Sequence, residues 1–309
     1  MGTVADVIVV GGGGSGLTTA LLLAERGLRV RVWSRDASSA TTSAVAGALW
    51  WPYRIEPEEL VGRWSLETLR VYEELSASPG ETGVRMVAGV HGGERLSALG
   101  AWARGLVGVA EVPQGLRVTL PLIDMPVHLR RLEERLASAG GVVERRTVGG
   151  FTEAASEAPV VVNCAGLGAR ELVPDPGVHP VRGQLVVENP GIDEWFTRAD
   201  PASSATTYFF PQPGRLVLGG TAETGEEGTD PDPVTAGEIV ARCARVRPEI
   251  AGARVIGHRV GLRPARDAGV RIEAEELAGG GLLVHNYGHG GAGVTVARGC
   301  ARATARLVP

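Results

Sequence analysis

Hydrophobic and polar positions along the chain follow two different periods. Val7, Ile8, Val9 and Val10 form an unbroken β-branched run, the pattern of a strand buried on both faces of a parallel sheet. Residues 17–26 read as a helix with Gly27 as its C-cap, and residues 29–34 as a second apolar-rich strand. Residues 56–75 carry helical spacing at Leu60, Trp64, Leu66, Leu69, Val71 and Leu75, with Pro57 near the first turn. From residue 83 the pattern changes to short apolar runs broken by Gly and Pro, which predicts antiparallel strands at 84–90 and 116–120. Asp124, as an N-cap, and Pro126 open a helix whose stripe is Leu129, Leu132, Leu136 and Ala139, ended by Gly140 and Gly141. Further strands are predicted at 142–146, 160–162, 183–188, 208–210, 215–219, 255–262 and 282–285. Asp232 caps a helix carrying Ile239, Val240, Cys243 and Val246, and a last helix runs to about Leu307. Residues 189–207, rich in Pro, Asp, Ser and Thr, read as a long loop of the kind that often forms a lid.

Parallel βα units at the two ends and antiparallel strands in the middle predict an α/β protein of discontinuous build. A Rossmann-like, doubly wound domain is assembled from residues 1–50, 122–178 and 264–309. An inserted α+β domain with an antiparallel sheet takes residues 51–121 and 179–263.

The turn after the first strand carries glycines at 11, 13 and 16, which fits G-x-G-x-x-G in its required strand–turn–helix context. Gly11 makes the tight turn, Gly13 admits a pyrophosphate to the backbone, and Gly16 lets the helix press on the strand. The helix N-terminus then favours the anion. Arg35 and Asp36 end the second strand, where a ribose is read; arginine before acid leaves NAD, NADP and FAD all open.

Composition narrows the class. Hydrophobic residues are 44% and charged residues 21%, and the net charge of −4 gives no nucleic-acid footprint. No run approaches the roughly 18 apolar residues of a membrane helix. Val7 already reads as core, so no signal peptide is expected, and the terminal Leu-Val-Pro is no peroxisomal address. Cys164, Cys243 and Cys300 are widely spaced, so a reduced cytoplasm and no zinc or other metal site follow, with one disulfide at most. All 31 basic residues are arginine. Without lysine the chain has neither a pyridoxal Schiff base nor a Walker-type phosphate lysine.

Three later segments are more specific than the amino-terminal fingerprint: Ala48-Leu-Trp-Trp-Pro-Tyr53, Val260-Gly-Leu-Arg263-Pro-Ala-Arg266, and His285-Asn-Tyr-Gly-His-Gly-Gly291 with Gly293. Asn163-Cys-Ala-Gly166, Arg182-Gly-Gln184 and Tyr208-Phe-Phe-Pro211 fall in the same order. Over essentially its whole length the chain resembles the D-amino acid oxidase family of flavoproteins. The resemblance implies non-covalent FAD, hydride transfer from the α-carbon of a D-amino acid to flavin N5, and reoxidation by O₂ to H₂O₂. The imino acid then hydrolyses to a 2-oxo acid and ammonia. Family members often form homodimers, and the exclusive use of arginine points to a GC-rich bacterial genome.

Carried over residue by residue, Arg263 is the carboxylate partner, a planar bidentate role that suits arginine. Tyr208 is the second carboxylate contact through its hydroxyl, Gly291 offers its carbonyl to the amine, and Trp51 walls the pocket. The cofactor contacts are Gly11, Gly13, Gly14, Ser15, Gly16, Arg35, Asp36, Thr42, Ser43, Gly47, Leu49, Val148, Gly166, Arg263, Gly288, His289, Gly290, Gly291, Gly293, Val294 and Thr295. No acid or base catalyst is assigned, because hydride transfer from a neutral amine requires orientation rather than proton abstraction. His289 is read as facing the flavin or a structural hydrogen bond. Residues 290–295 aim N–H groups and a helix dipole at the flavin, stabilising its reduced anion.

Two positions depart from the family pattern. Trp51 stands where animal members have glutamine, and Ser204 corresponds to a gating tyrosine. Both predict a preference for neutral, hydrophobic D-amino acids. D-aspartate oxidase is the nearest alternative and requires a second cation, for which Arg182, Arg266 and His258 are candidates. A glycine- or sarcosine-type oxidase, a nicotinamide dehydrogenase and a non-catalytic FAD-binding module are further alternatives.

Overall fold

The computed structural model describes residues 5–53, 55–188, 191–200, 203 and 205–309. The chain opens with β1 (Val7–Val10), α1 (Gly14–Glu25) and β2 (Val30–Ser34), then crosses to α2 (Glu58–Leu75) and the short α3 (Pro79–Thr82). Strands β3 (Val84–Gly92), β4 (Ala110–Val112) and β5 (Gly115–Ile123) pair antiparallel. Helix α4 (Met125–Ser138), β6 (Val142–Arg145), α5 (Phe151–Ala155), β7 (Val160–Asn163) and α6 (Ala169–Leu172) return the chain to the first layer. Then come β8 (Val178–Glu188), β9 (Trp195–Ala199), β10 (Ala205–Gln212), β11 (Arg215–Thr221), β12 (Glu223–Thr224), α7 (Pro233–Ala244) and β13 (Val255–Arg266). The chain closes with β14 (Ala274–Glu276), β15 (Leu282–His285) and α8 (Gly293–Ala305).

These strands form two sheets. The first has the order β14-β15-β7-β1-β2-β6 and is parallel except for β14. Its centre is the predicted apolar run: Val7, Ile8 and Val9 are fully buried, because helices cover both faces of such a sheet. The second sheet has the order β12-β8-β11-β10-β9-β3-β5-β4, with β13 on β8. Its two faces differ. Trp195, Tyr208 and Phe210 join the core shared with the first layer, whereas Phe196, Phe209 and Leu218 pack with Ile239 and Cys243 of α7.

Four local readings change. Residues 189–207 are no single loop, because β9 lies within them, paired with β3 and β10. Asp124 precedes α4 but makes no cap; its Oδ1 accepts from Arg215 Nη2 at 2.9 Å, a charge pair in place of a main-chain bond. Strand β13 does not stop before Arg263 but continues through it to Arg266 along β8. The buried face of α2 is Val61, Trp64, Thr68, Leu69 and Tyr72, with Leu60, Leu66 and Val71 only half-buried. That face seats on α8: Gly299 N donates to Thr68 Oγ1 at 3.1 Å, and the Tyr72 hydroxyl donates to Val294 O at 2.9 Å. All three cysteines are buried, and no disulfide joins them among the described residues.

Candidate functional site

A cavity of about 1090 Å³ runs between the two sheets. That is at the upper end of the range for ligand sites, about 1,000 Å³.

At one end lies the glycine turn. Gly11 has φ +115°, and a Cβ there would stand 2.3 Å from the Cys164 carbonyl oxygen. A Cβ on Gly16 would stand 1.8 Å from Gly11 O, so only glycine lets α1 meet β1. Gly16 itself does not line the cavity, whereas Gly11, Gly13, Gly14 and Ser15 do. Gly14 N donates to Ser43 Oγ at 2.9 Å, which ties the turn to the 42–45 segment and leaves the Ser43 hydroxyl proton for a ligand. Thr42 donates to Leu262 O at 3.1 Å. Arg35 and Asp36 line the far end and pair with each other, Nε to Oδ2 at 2.8 Å. Val148, Gly166, Gly47 and Leu49 also line the cavity. This cradle of bare backbone, N–H groups and small hydroxyls fits the pyrophosphate and ribose of FAD.

The second glycine turn closes the middle. His289, Gly290, Gly291, Gly293, Val294 and Thr295 all line the cavity; Gly288 does not. Gly288 turns away with φ +85°, where a Cβ would meet Arg266 Cβ at 2.9 Å, so its part is the turn itself. His289 is 4% exposed, and its Nε2 lies 3.0 Å from Asn286 Oδ1. Asn286 Nδ2 donates to Thr19 Oγ1 at 3.1 Å, so its oxygen is the acceptor and His289 Nε2 carries the proton. Burial holds the His289 pKa down to about 4, so the imidazole is neutral. The Thr295 hydroxyl clamps Trp51, donating to its carbonyl at 3.0 Å and accepting from its N–H at 3.1 Å.

The other end is built on the second sheet. Arg263 Nη1 donates to the carbonyls of Arg182 (3.3 Å) and Thr221 (3.0 Å). Both bonds use one nitrogen, the Tyr208 hydroxyl is a further hydrogen-bond partner of the guanidinium, and among the described residues no carboxylate pairs with Arg263. The guanidinium lies flat over Gly183 of β8, where a Cβ would stand 2.2 Å from Nη2. Tyr208 lies likewise over Gly219 of β11, where a Cβ would stand 1.9 Å from its Cζ. The Tyr208 ring stacks on Phe210 at 4.6 Å. Burial pushes its pKa up to about 12 against the pull of Arg263, so its hydroxyl stays protonated. Gly291 completes the wall, with Tyr53 and Arg263 3.2 and 3.3 Å from where its Cβ would be. A permanent cation and a phenol donor therefore face one recess, the arrangement that binds a carboxylate.

Arg263, Tyr208, Gly291 and Trp51 thus share one cavity with the glycine turn. The three candidate second cations do not. Arg182 bonds Glu223, Gly228 O and Asp230 O, Arg266 bonds Asp175, and His258 is exposed on β13. Ser204 lies outside the described residues. Sequence reasoning missed Tyr53, Gly183 and Gly219. The signal available for the glycines was their place inside strand patterns, which marks a close approach. Among the described residues no cluster of His, Cys, Asp or Glu could hold a metal.

The family model described as FAD dependent oxidoreductase matches residues 6–307. The chain is 61% identical over 310 residues to a D-amino-acid oxidase of Streptomyces coelicolor, covering 98% of this chain and 96% of that one. It is 33% identical to a human D-aspartate oxidase, covering 98% of this chain and 94% of that one. A crystal structure of glycine oxidase from Geobacillus kaustophilus superposes with a TM-score of 0.80 at 21% identity, covering 98% and 94% of the two chains, a likeness of fold.

Proposed function

This chain belongs to the family of FAD dependent oxidoreductases, and from that premise we propose that it is a D-amino acid oxidase preferring neutral, hydrophobic substrates. One observation carries the reading. Arg263, paired with no carboxylate among the described residues, and the protonated Tyr208 hydroxyl beside it face the cavity that holds the cofactor cradle. None of the three candidate second cations, Arg182, Arg266 and His258, lines the cavity, which favours this reading over D-aspartate oxidase. Residues 1–50, 122–178 and 264–309 form the FAD-binding unit on this reading, residues 51–121 and 179–263 the substrate unit, and α2 seats on α8 at their junction.

Gly11, Gly13, Gly14, Ser15, Ser43, Arg35, Asp36 and the 289–295 turn would hold FAD, which when bound would supply the acceptor for the substrate α-hydrogen as hydride and pass two electrons, with two protons, to O₂ to give H₂O₂. The protein's own part is orientation. Arg263 and Tyr208 fix the carboxylate, and the Gly291 carbonyl accepts from the amine. Trp51 and Phe210 exclude water and present an apolar wall to the side chain. His289 is no general base on this reading: it is neutral and its proton is held by Asn286. It positions the turn. The widely spaced, buried cysteines, with no disulfide among the described residues, support a reducing compartment, and we expect a cytoplasmic homodimer.

The test is anaerobic. The purified yellow protein is mixed with D-leucine, D-alanine, D-aspartate or L-leucine, and the flavin absorbance is followed. Rapid bleaching by D-leucine and not by L-leucine is the expected result. Bleaching by D-aspartate alone, or by no amino acid, would overturn the reading.

A further inference from the structure

The recess continues beyond Tyr208 in a direction that strand register defines. On the cavity face of the second sheet, Tyr208 of β10 sits opposite Thr197 of β9, and Thr197 sits opposite His91 of β3. All three line the cavity. Neighbouring strands lie about 4.8 Å apart, so His91 stands roughly 10 Å across the sheet from Tyr208. Arg263 lies on the opposite side of Tyr208, beyond β11 and β8. A substrate carboxylate held between Arg263 and Tyr208 therefore leaves its side chain the direction of Thr197 and His91.

That direction ends in a rigid wall. The His91 ring lies on Trp51, with centroids 4.5 Å apart and planes at 31°. Trp51 meets Trp102 edge-on at 5.0 Å and 89°. The Trp51 main chain is clamped at both N–H and C=O by Thr295. His91 is 6% exposed. Burial holds it neutral, with its pKa pushed down to about 4 against a smaller pull from the Gly92 backbone, so it adds no second cation at neutral pH.

We propose that His91, braced by Trp51, closes the side-chain recess and sets the length of D-amino acid side chain the enzyme accepts. This rests on the carboxylate being held by Arg263 and Tyr208. Substrates are D-amino acids with uncharged side chains of leucine or methionine size, and bulkier rings meet the imidazole. Its role is specificity, not catalysis.

The experiment compares kcat/KM for D-alanine, D-leucine, D-methionine, D-phenylalanine and D-tryptophan in the wild type and in His91→Ala, His91→Asn and His91→Phe. Bound FAD is measured by absorbance in each. His91→Ala should raise the D-tryptophan to D-alanine ratio at least about tenfold, mainly through KM, since steric fit of this kind is worth roughly 10- to 200-fold. His91→Asn should give a smaller shift, and should fold even if the alanine cavity does not. His91→Phe restores a ring of similar size and should restore the wild-type ranking. If the alanine and asparagine variants change all five substrates in parallel, His91 is only a packing residue and the proposal fails. A wild type that oxidises no D-amino acid would overturn the underlying reading instead, so the two failures are distinguishable.

Discussion

Gly183→Ala tests the carboxylate site without touching a residue that contacts substrate. A Cβ at position 183 would stand 2.2 Å from Arg263 Nη2 and 2.3 Å from its Cζ and Nη1. Non-bonded heavy atoms settle at about 3.5–4.0 Å, so the guanidinium must retreat by about 1.3 Å or more. The backbone at Gly183 is not left-handed, and the displaced group is the far end of a flexible side chain. Folding is therefore little affected, while the retreat breaks the Nη1 bonds to Arg182 O and Thr221 O that aim the cation. A misplacement near 1 Å can cost about 100-fold. We expect kcat/KM to fall about 100-fold for every D-amino acid, mainly through KM, with FAD content unchanged. Initial rates of H₂O₂ formation measure it. Gly257→Ala is the control: it lies on β13, opposite Val187 of the same strand pair, and a Cβ there meets nothing within 4 Å. A Gly183→Ala enzyme with wild-type kcat/KM would refute the placement of the carboxylate at Arg263. Equal losses in both variants would mean the strand pair, not the guanidinium, was disturbed.

Arg263→Lys keeps the charge but loses the planar fork, so kcat/KM should fall by roughly ten- to hundredfold, the worth of one charge-assisted hydrogen bond at about 1.5–3 kcal/mol. Tyr208→Phe removes one ordinary hydrogen bond of about 1 kcal/mol, or roughly fivefold, and steady-state KM values will show whether it is the milder of the two. Gly299→Ala places a Cβ 2.3 Å from Trp64 Cα, a backbone atom that cannot move cheaply. Stability should fall by about 1–3 kcal/mol or more, and an unchanged urea midpoint would contradict the α2–α8 packing. Acid should also destabilise the fold. His91 and His289 are pushed to about 4, and burial pushes His128 and His285 the same way. The unfolded chain takes up these protons from about pH 6.5 downward while the native state does not, so this stability is complete above pH 6.5 and lost toward pH 4. The loss is roughly 3 kcal/mol for each of His91 and His289, and a urea midpoint that is flat from pH 7.5 to 5 would rule it out.

Much of this molecule is written locally in the chain. The 7–10 run, the glycines at 11, 13 and 16, and the helix that follows are legible because backbone freedom and apolar periodicity act over a few residues. Arg263 and the 285–291 segment stand out instead through their resemblance to a family pattern. Where a long-range partner competes, local reading fails. Asp124 looks like a cap, but Arg215 takes its carboxylate. Residues 195–199 look like loop, but β3 and β10 flank them and make a strand. Gly183 and Gly219 look like weak points in strands, yet they are the floor on which Arg263 and Tyr208 lie. His91, Thr197 and Tyr208 are separated by more than a hundred positions from first to last, and only pairing register sets them in one row. The sequence by itself determined the fold class and the glycine turns, because these depend on backbone freedom and apolar periodicity over a few residues, while Arg263 was singled out as the proposed carboxylate partner by the family resemblance. The tertiary structure alone decided that Tyr208, Thr197 and His91 share a row lining the cavity and that Gly183 underlies Arg263, because register between distant strands is a property of the folded chain.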